Sequence, residues 1–433
     1  MTMSRTPLYF AAMAALILAV GFLQSWNSAL FILNFGLISA IMSLGVNLQW
    51  GYAGLFNVGI MGFVALGGAA VVLTSMPPVK EAWSAGGGQV LFALLAGLGV
   101  IVGAVVLWKK LAGVKARGII LAAWLIIGFF VFRALFDPAV EAIEAINPSQ
   151  TGYLGGANLP VLLAWPVGGL LAAGAAWIVA KTALGLRSDY LAIATLGIAE
   201  IIIAVMKNED WLTRGVKNVN GLPRPVPYEI DLQQAEWFTS LAARFGADPV
   251  TASSIFVKLS YAGLFLAVII LIVLAMELAL KSPWGRMMRA IRDNETAAEA
   301  MGKDVTGRHL QIFVLGAAIC GLAGAMMTTL DGQLTPTTYQ PLRYTFLIWV
   351  MVIVGGSGNN WGAVLGGMLI WFLWVEVEPI GTWLINLLTS GLADDSPIKA
   401  GMLERVAYMR HLMMGVILLS VLRFSPRGLL PEK

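Results

Sequence analysis

Residues 282–309 read SPWGRMMRAIRDNETAAEAMGKDVTGRH, a charged, helix-forming stretch between strongly apolar runs at 255–280 and 310–330. About 20 apolar residues are needed for a helix to cross a bilayer. The stretch therefore reads as a water-facing surface held between two membrane crossings, and the composition around it agrees. Hydrophobic residues make up 58% of the chain and charged residues 12%, with a mean hydropathy of +0.81, whereas soluble domains carry about 25% charge. Such a chain is an all-α, polytopic membrane protein, and its 433 residues form one membrane domain, 1–433, rather than several soluble ones.

Further apolar runs occur at 8–25, 29–48, 55–73, 90–108, 118–136, 159–180, 190–206, 344–354, 363–375 and 412–422. Several are too short to cross as regular helices, so about ten to twelve crossings are expected, some broken or re-entrant. The first run follows Arg5 and continues into the second without a small-residue cleavage site, which favours an uncleaved first helix. Lys and Arg in short loops mark the cytoplasmic side. Lys109, Lys110, Lys115 and Arg117, then Lys181 and Arg187, then residues 281–309, then Arg423, Arg427 and Lys433 all fall on one side if the runs alternate. Both termini are thus expected in the cytoplasm, with outward loops at 207–251 and 377–409. The formal charge of +4 is spent on this asymmetry and gives no sign of nucleic acid.

Within the charged stretch, Ser282 is placed to cap a helix beginning at Pro283, along which Arg286, Arg289 and Arg292 recur at helical spacing. A second short helix is expected from about Glu295 to Met301, ending at Gly302 in the left-handed conformation. Taken alone the stretch could be a solvated basic loop beside anionic lipid. The small residues Thr296, Ala297 and Ala298, with Gly302 after them, suggest instead a surface that a partner approaches closely.

Several stretches resemble the permease subunit of branched-chain amino acid ABC importers. These are Gly45-Val46-Asn47-Leu48-Gln49-Trp50-Gly51-Tyr52-Ala53-Gly54-Leu55-Phe56-Asn57-Val58-Gly59, Leu186-Arg187 with Asp189-Tyr190-Leu191-Ala192-Ile193-Ala194-Thr195-Leu196-Gly197 and Glu200, and Arg289 to Glu295 with Ala297, Ala298 and Gly302. The turn Val354-Gly355-Gly356-Ser357-Gly358 and the ending Ser425-Pro426-Arg427-Gly428-Leu429-Leu430-Pro431 are also similar, and the motifs come in the family's order. The resemblance implies a type II ABC importer-like fold in a bacterial inner membrane. Its implied partners are a second permease subunit, two cytoplasmic ATP-binding subunits and a periplasmic substrate-binding protein received by the 207–251 loop. It further implies that Arg289, Arg292, Glu295, Thr296, Ala297, Ala298 and Gly302 couple the chain to the ATPase. The family's usual opening glutamate is Thr296 here, with Glu295 one place earlier. Residues 90–136 and 381–407 look inserted relative to the family core.

Certain chemistries are missing. No GxxxxGK[ST] phosphate loop occurs, so energy must come from another subunit or an ion gradient. There is no HExxH or CxxC, and His309 and His411 sit near predicted membrane edges. No metal site, cofactor or catalytic pair is expected, and the chain reads as a transporter rather than an enzyme. Asp394-Asp395 reads as a solvated pair, and the lone Cys320 as a small core residue.

For the translocation pathway, Glu200 lies halfway along an apolar run, where a charge costs about 2.5–3.5 kcal/mol. It reads either as a pathway or gate residue or as a helix–helix clamp. Tyr190 and Thr195 lie on the same run. Asn47, Gln49 and Asn57 surround Gly51 and Gly54 in a polar break between two runs, a second pathway candidate because non-helical backbone at membrane depth needs protein or a water-filled cavity around it. Asn359-Asn360-Trp361-Gly362 echoes Leu48-Gln49-Trp50-Gly51 and raises the possibility of an internal repeat. Arg133 and Lys258 are expected to snorkel, Glu277 to pair with Lys281, and Trp211 and Trp237 to anchor the outward loop at the interface.

The expected function is a permease that alternates access and releases an apolar amino acid, or a related small solute such as urea or an amide, inward past membrane lipid. The alternative is an ion-coupled secondary transporter working through Glu200.

Overall fold

A computed structural model of the chain describes residues 5–147, 151–391 and 396–432. Asp394, Asp395 and Lys433 lie outside the described residues. The principal helices are α1 (Arg5–Leu23), α2 (Trp26–Ala53), α3 (Ile60–Ser75), α4 (Gly88–Lys110), α5 (Arg117–Glu144), α6 (Val161–Ala183), α7 (Ser188–Asn208), α8 (Pro249–Lys281), α9 (Pro283–Asp293), α10 (Glu295–Ala300), α11 (Val305–Asp331), α12 (Pro341–Gly355), α13 (Asn360–Leu388) and α14 (Met409–Phe424). Among the described residues, 10 helical stretches are long and apolar enough to cross a membrane. α3 and α12, at 16 and 15 residues, are apolar but rise only about 22–24 Å at 1.5 Å per residue, short of a hydrocarbon core of about 30 Å. All twelve apolar runs are helical over most of their length, the run at 55–73 only from Ile60 onward, and the chain is an all-α polytopic membrane protein.

α2 and α11 form the centre. α2 starts where Ser25 Oγ accepts from the Ser28 N–H at 3.1 Å and is buried over most of its length, because α1, α8, α11, α12 and α13 all pack on it. Small residues set how close these helices come. A β-carbon on Gly45 would stand 2.7 Å from both Cys320 Sγ and the Gly316 carbonyl oxygen, and one on Gly67 would overlap the carbonyl oxygen of Gly321. Cys320 is accordingly buried.

Loop contacts sort the bundle into two ends. At the end bearing α9 and α10, here the proximal end, Gly51, Arg292, Gly358, Glu432 and Thr6 come together. Residues near both termini thus share one end. At the distal end, Leu154 donates to Trp211 at 2.9 Å, Val219–Asn220 pairs antiparallel with Gln333–Leu334, and Gln24 Nε2 donates to Glu376 Oε2 at 2.6 Å.

Several sequence expectations are corrected at the distal end. Residues 377–409 are not chiefly a loop: α13 runs through Pro379 to Leu388, and helix returns at Pro397–Glu404. Glu376, one residue past the 363–375 run, is buried inside α13, tolerated because Gln24 donates to it. Lys258 does not simply snorkel, since its Nζ donates to Asn27 Oδ1 at 3.1 Å and ties α8 to α2. Arg133 pairs with Asp137 at 2.8 Å along α5. Trp211 is buried against Phe136 and donates to Glu209 at 2.6 Å, so it is core, whereas Trp237 remains 57% exposed. α4 and α5 pair with each other and meet the rest mainly near this end, around Ala139, Ile143, Leu154 and Trp211.

Candidate functional site

The break after α2 is made by sequence. Gly54 adopts the left-handed conformation, φ +70°, and ends the helix, a geometry that costs other residues about 1–2 kcal/mol. Residues 54–59 then run without helix to α3, leaving backbone groups that need partners at membrane depth. The polar side chains supply them. Gln49 Nε2 donates to the Phe313 carbonyl at 2.8 Å, and its Oε1 accepts from Asn57 Nδ2 at 2.9 Å. Asn57 Oδ1 accepts from the Gly59 N–H at 2.9 Å, and its carbonyl accepts from Trp349 Nε1 at 3.1 Å. Thr195 Oγ1 accepts from the Val58 N–H at 3.1 Å. Asn47 Oδ1 accepts from the Gly358 N–H at 2.8 Å.

Asn47, Gln49, Asn57 and Thr195 are all buried at 2% exposure or less. In this conformation they form a closed lock around the break. Sequence reasoning missed part of the lock. Asn360 Oδ1 accepts from Tyr52 at 3.2 Å, and its Nδ2 donates to Glu277 at 3.1 Å, while Glu277 pairs with Lys281 at 3.5 Å. The echo between residues 48–51 and 359–362 was the available signal: the two segments run close together, with a β-carbon on Gly51 overlapping the nitrogen of Gly358, the residue just before the second.

Tyr190 and Glu200 go elsewhere. Both are exposed on the face of α7 turned away from Thr195. Glu200 borders an open cleft shared with Gln340, Arg343 and His411. The six pathway candidates therefore split into a buried group and an open face.

On the proximal side, α9 lays Gly285, Met288 and Ile291 into the bundle. Ser282 takes the extended geometry of a cap but does not cap α9, because its hydroxyl donates back to the Ala279 carbonyl at 2.6 Å. Asn294 caps α10, accepting from the Ala297 N–H at 2.9 Å. Gly302 at φ +77° ends it, and a β-carbon there would meet nothing within 4 Å. Glu295, Thr296 and Ala297 are exposed with it, whereas Ala298 turns inward, which corrects its expected outward placement. Arg289 Nη2 donates to the Leu280 carbonyl at 3.4 Å. Arg292 Nη1 donates to the Gly51 carbonyl and lies 2.9 Å from Glu432 Oε2. Burial disfavours charge on Arg292, yet bonds and attraction to Glu432, joined by Asp293, outweigh it and hold the guanidinium above its ordinary value.

An exposed two-helix elbow is thus wired to the end of a broken transmembrane helix, and residues 126–422 match the family described as branched-chain amino acid transport system / permease component. The chain belongs to this family. The permease is 25% identical over 405 residues to the probable branched-chain amino acid transport permease protein LivM of Methanocaldococcus jannaschii, covering 94% of this chain and 93% of that protein. It is 29% identical over 214 residues to the high-affinity branched-chain amino acid transport system permease protein LivM of Escherichia coli, covering 47% of this chain and 48% of that protein. The match thus spans about half the length of that bacterial relative. The fructose import permease protein FrcC of Rhizobium meliloti is 22% identical over 302 residues. No solved structure matches the permease.

Proposed function

We propose that the chain is one permease subunit of an ATP-driven importer for branched-chain amino acids, working with a second permease chain, two ATP-binding subunits and an external binding protein. The observation that carries this reading is the continuous connection from the exposed tip Glu295, Thr296, Ala297 and Gly302, through α9, to Arg292 and the Gly51 carbonyl. A subunit gripping the tip moves α9 as a lever, and Arg292 passes that motion to the break after α2. The proximal end then faces the cytoplasm of a bacterial cell and the distal end faces the binding protein. The names of the archaeal and bacterial relatives support branched-chain amino acids over urea or amides.

The test is uptake of labelled leucine by proteoliposomes holding the assembled complex and its binding protein. Uptake that follows internal ATP and ignores proton and sodium gradients is expected. Gradient-driven uptake by this chain alone would overturn the reading and restore the ion-coupled alternative through Glu200.

A further inference from the structure

We infer that the cavity between α2, α3, α11, α12 and α13 is a binding site, within this single chain, for a small amino acid with an apolar side chain. The inference rests on the permease reading above and adds a location to it. The cavity holds about 200 Å³ and reaches from Asp331 and Thr338 at the distal end to Met42, Met61 and Met351 within the bundle. Cavities of about 150 Å³ lined by aliphatic groups take up benzene, so this one has room for a molecule the size of leucine.

The chemistry of the wall matches that class of molecule. Its inner part is apolar, with four methionines, Met42, Met61, Met327 and Met351, beside Ile348. Thioether side chains adapt their shape to an occupant, which suits leucine, isoleucine and valine alike. The mouth is polar. Asp331 and Thr338 are both exposed there, and among the described residues the Asp331 carboxylate has neither an ion pair nor a hydrogen bond. A free carboxylate above an apolar recess meets the ammonium of an amino acid whose side chain is buried below. The wall also contains Trp371, whose indole N–H is buried and has no partner among the described residues. A buried donor left unpaired costs about 1–3 kcal/mol, and an acceptor on the bound molecule relieves that cost. The mouth lies at the distal end, where a solute handed over from outside arrives first, and the recess reaches down to Met61, two residues beyond the break at 54–59.

The test uses the complete complex in lipid nanodiscs with Thr338→Cys introduced. Thr338 is exposed and the native Cys320 is buried, so a charged methanethiosulfonate reagent reports the cavity mouth. L-leucine is expected to slow modification of Thr338→Cys at least about fivefold at saturation, as competition for one site requires. It should leave Gln340→Cys, exposed outside the cavity, unaffected. Asp331→Asn should abolish the protection, and N-acetyl-leucine, lacking the ammonium, should give none. Modification of Thr338→Cys that ignores leucine overturns the site. If the same preparation still drives leucine uptake with ATP, the permease reading stands and only the cavity assignment falls. Protection without ATP-driven uptake keeps the cavity and removes the ATP-driven reading, and the loss of both overturns both.

Discussion

Arg292 on the elbow and Glu432 near the C-terminal end lie 2.9 Å apart, and the same guanidinium donates to the Gly51 carbonyl. Three distant parts of the chain therefore meet at one side chain, half buried at the proximal end. A planar fork can hold two acceptors at fixed angles, which a lysine ammonium cannot reproduce. The tie is suited to carry displacement from α9 to α2 because losing either contact frees the other end.

Arg292→Lys should keep the charge and lose the double contact. Hydrogen bonds to charged groups contribute about 1.5–3 kcal/mol, so coupling should weaken at least about tenfold. The expected result is a complex that still hydrolyses ATP while leucine uptake per ATP falls by that factor. Equal falls in hydrolysis and uptake would mean the residue serves assembly instead.

Gly302 separates two causes at one position. Its φ of +77° penalises side chains, and its surroundings are open. Asn tolerates the left-handed region better than most residues, so Gly302→Asn should preserve ATPase co-purification. Gly302→Arg should remove it by bulk on the proposed docking face while leaving membrane insertion intact. Loss of the ATPase in both variants would point to backbone strain rather than contact.

The twelve apolar runs and the elbow were legible in the sequence because membrane spans need long uniform segments and a charged insert between them stands out. Gly302 as a stop and the Glu277–Lys281 pair were readable for the same reason: both are local. The lock was only half legible. Asn47, Gln49 and Asn57 drew notice as polar residues in an apolar setting, but nothing local reveals that Phe313, Trp349 and Asn360 close around them across more than 250 positions. Periodicity also hid Lys258 and Glu376, whose partners Asn27 and Gln24 sit at the far end of α2 or just before it. Asp331 lay at the end of an apolar run and gave no signal without its cavity.

Close helix contacts give a stability prediction independent of function. At Gly67 an added β-carbon overlaps the Gly321 carbonyl, and at Gly324 it overlaps that of Val64. Backbone cannot move aside as a flexible side chain can, and overpacking costs about 1–3 kcal/mol or more. Gly67→Val should lower the midpoint of thermal aggregation in detergent markedly. Gly99→Val, where nothing lies within 4 Å, should leave it unchanged.

Gln49 and Glu200 make the last contrast, since both are polar groups in apolar helices but occupy opposite settings. Gln49 is 1% exposed, and its two bonds join Phe313 on α11 to Asn57 in the break. Gln49→Ala leaves the Asn57 side-chain amide without its acceptor inside the bundle, at a cost of about 1–3 kcal/mol, and cuts the tie to the Phe313 carbonyl, which keeps its place in the α11 ladder. It should reduce the thermal midpoint and release the break, seen as faster proteolysis or labelling at an introduced Val58→Cys. Glu200 stands on the open face of α7 with Arg343 across its cleft, so Glu200→Gln should leave the midpoint where it is. If Glu200 belongs to the route of the solute, uptake alone changes, read as a shift in KM or kcat for leucine at constant ATPase assembly. A fall in stability with normal uptake would instead make Glu200 a contact to a neighbouring subunit.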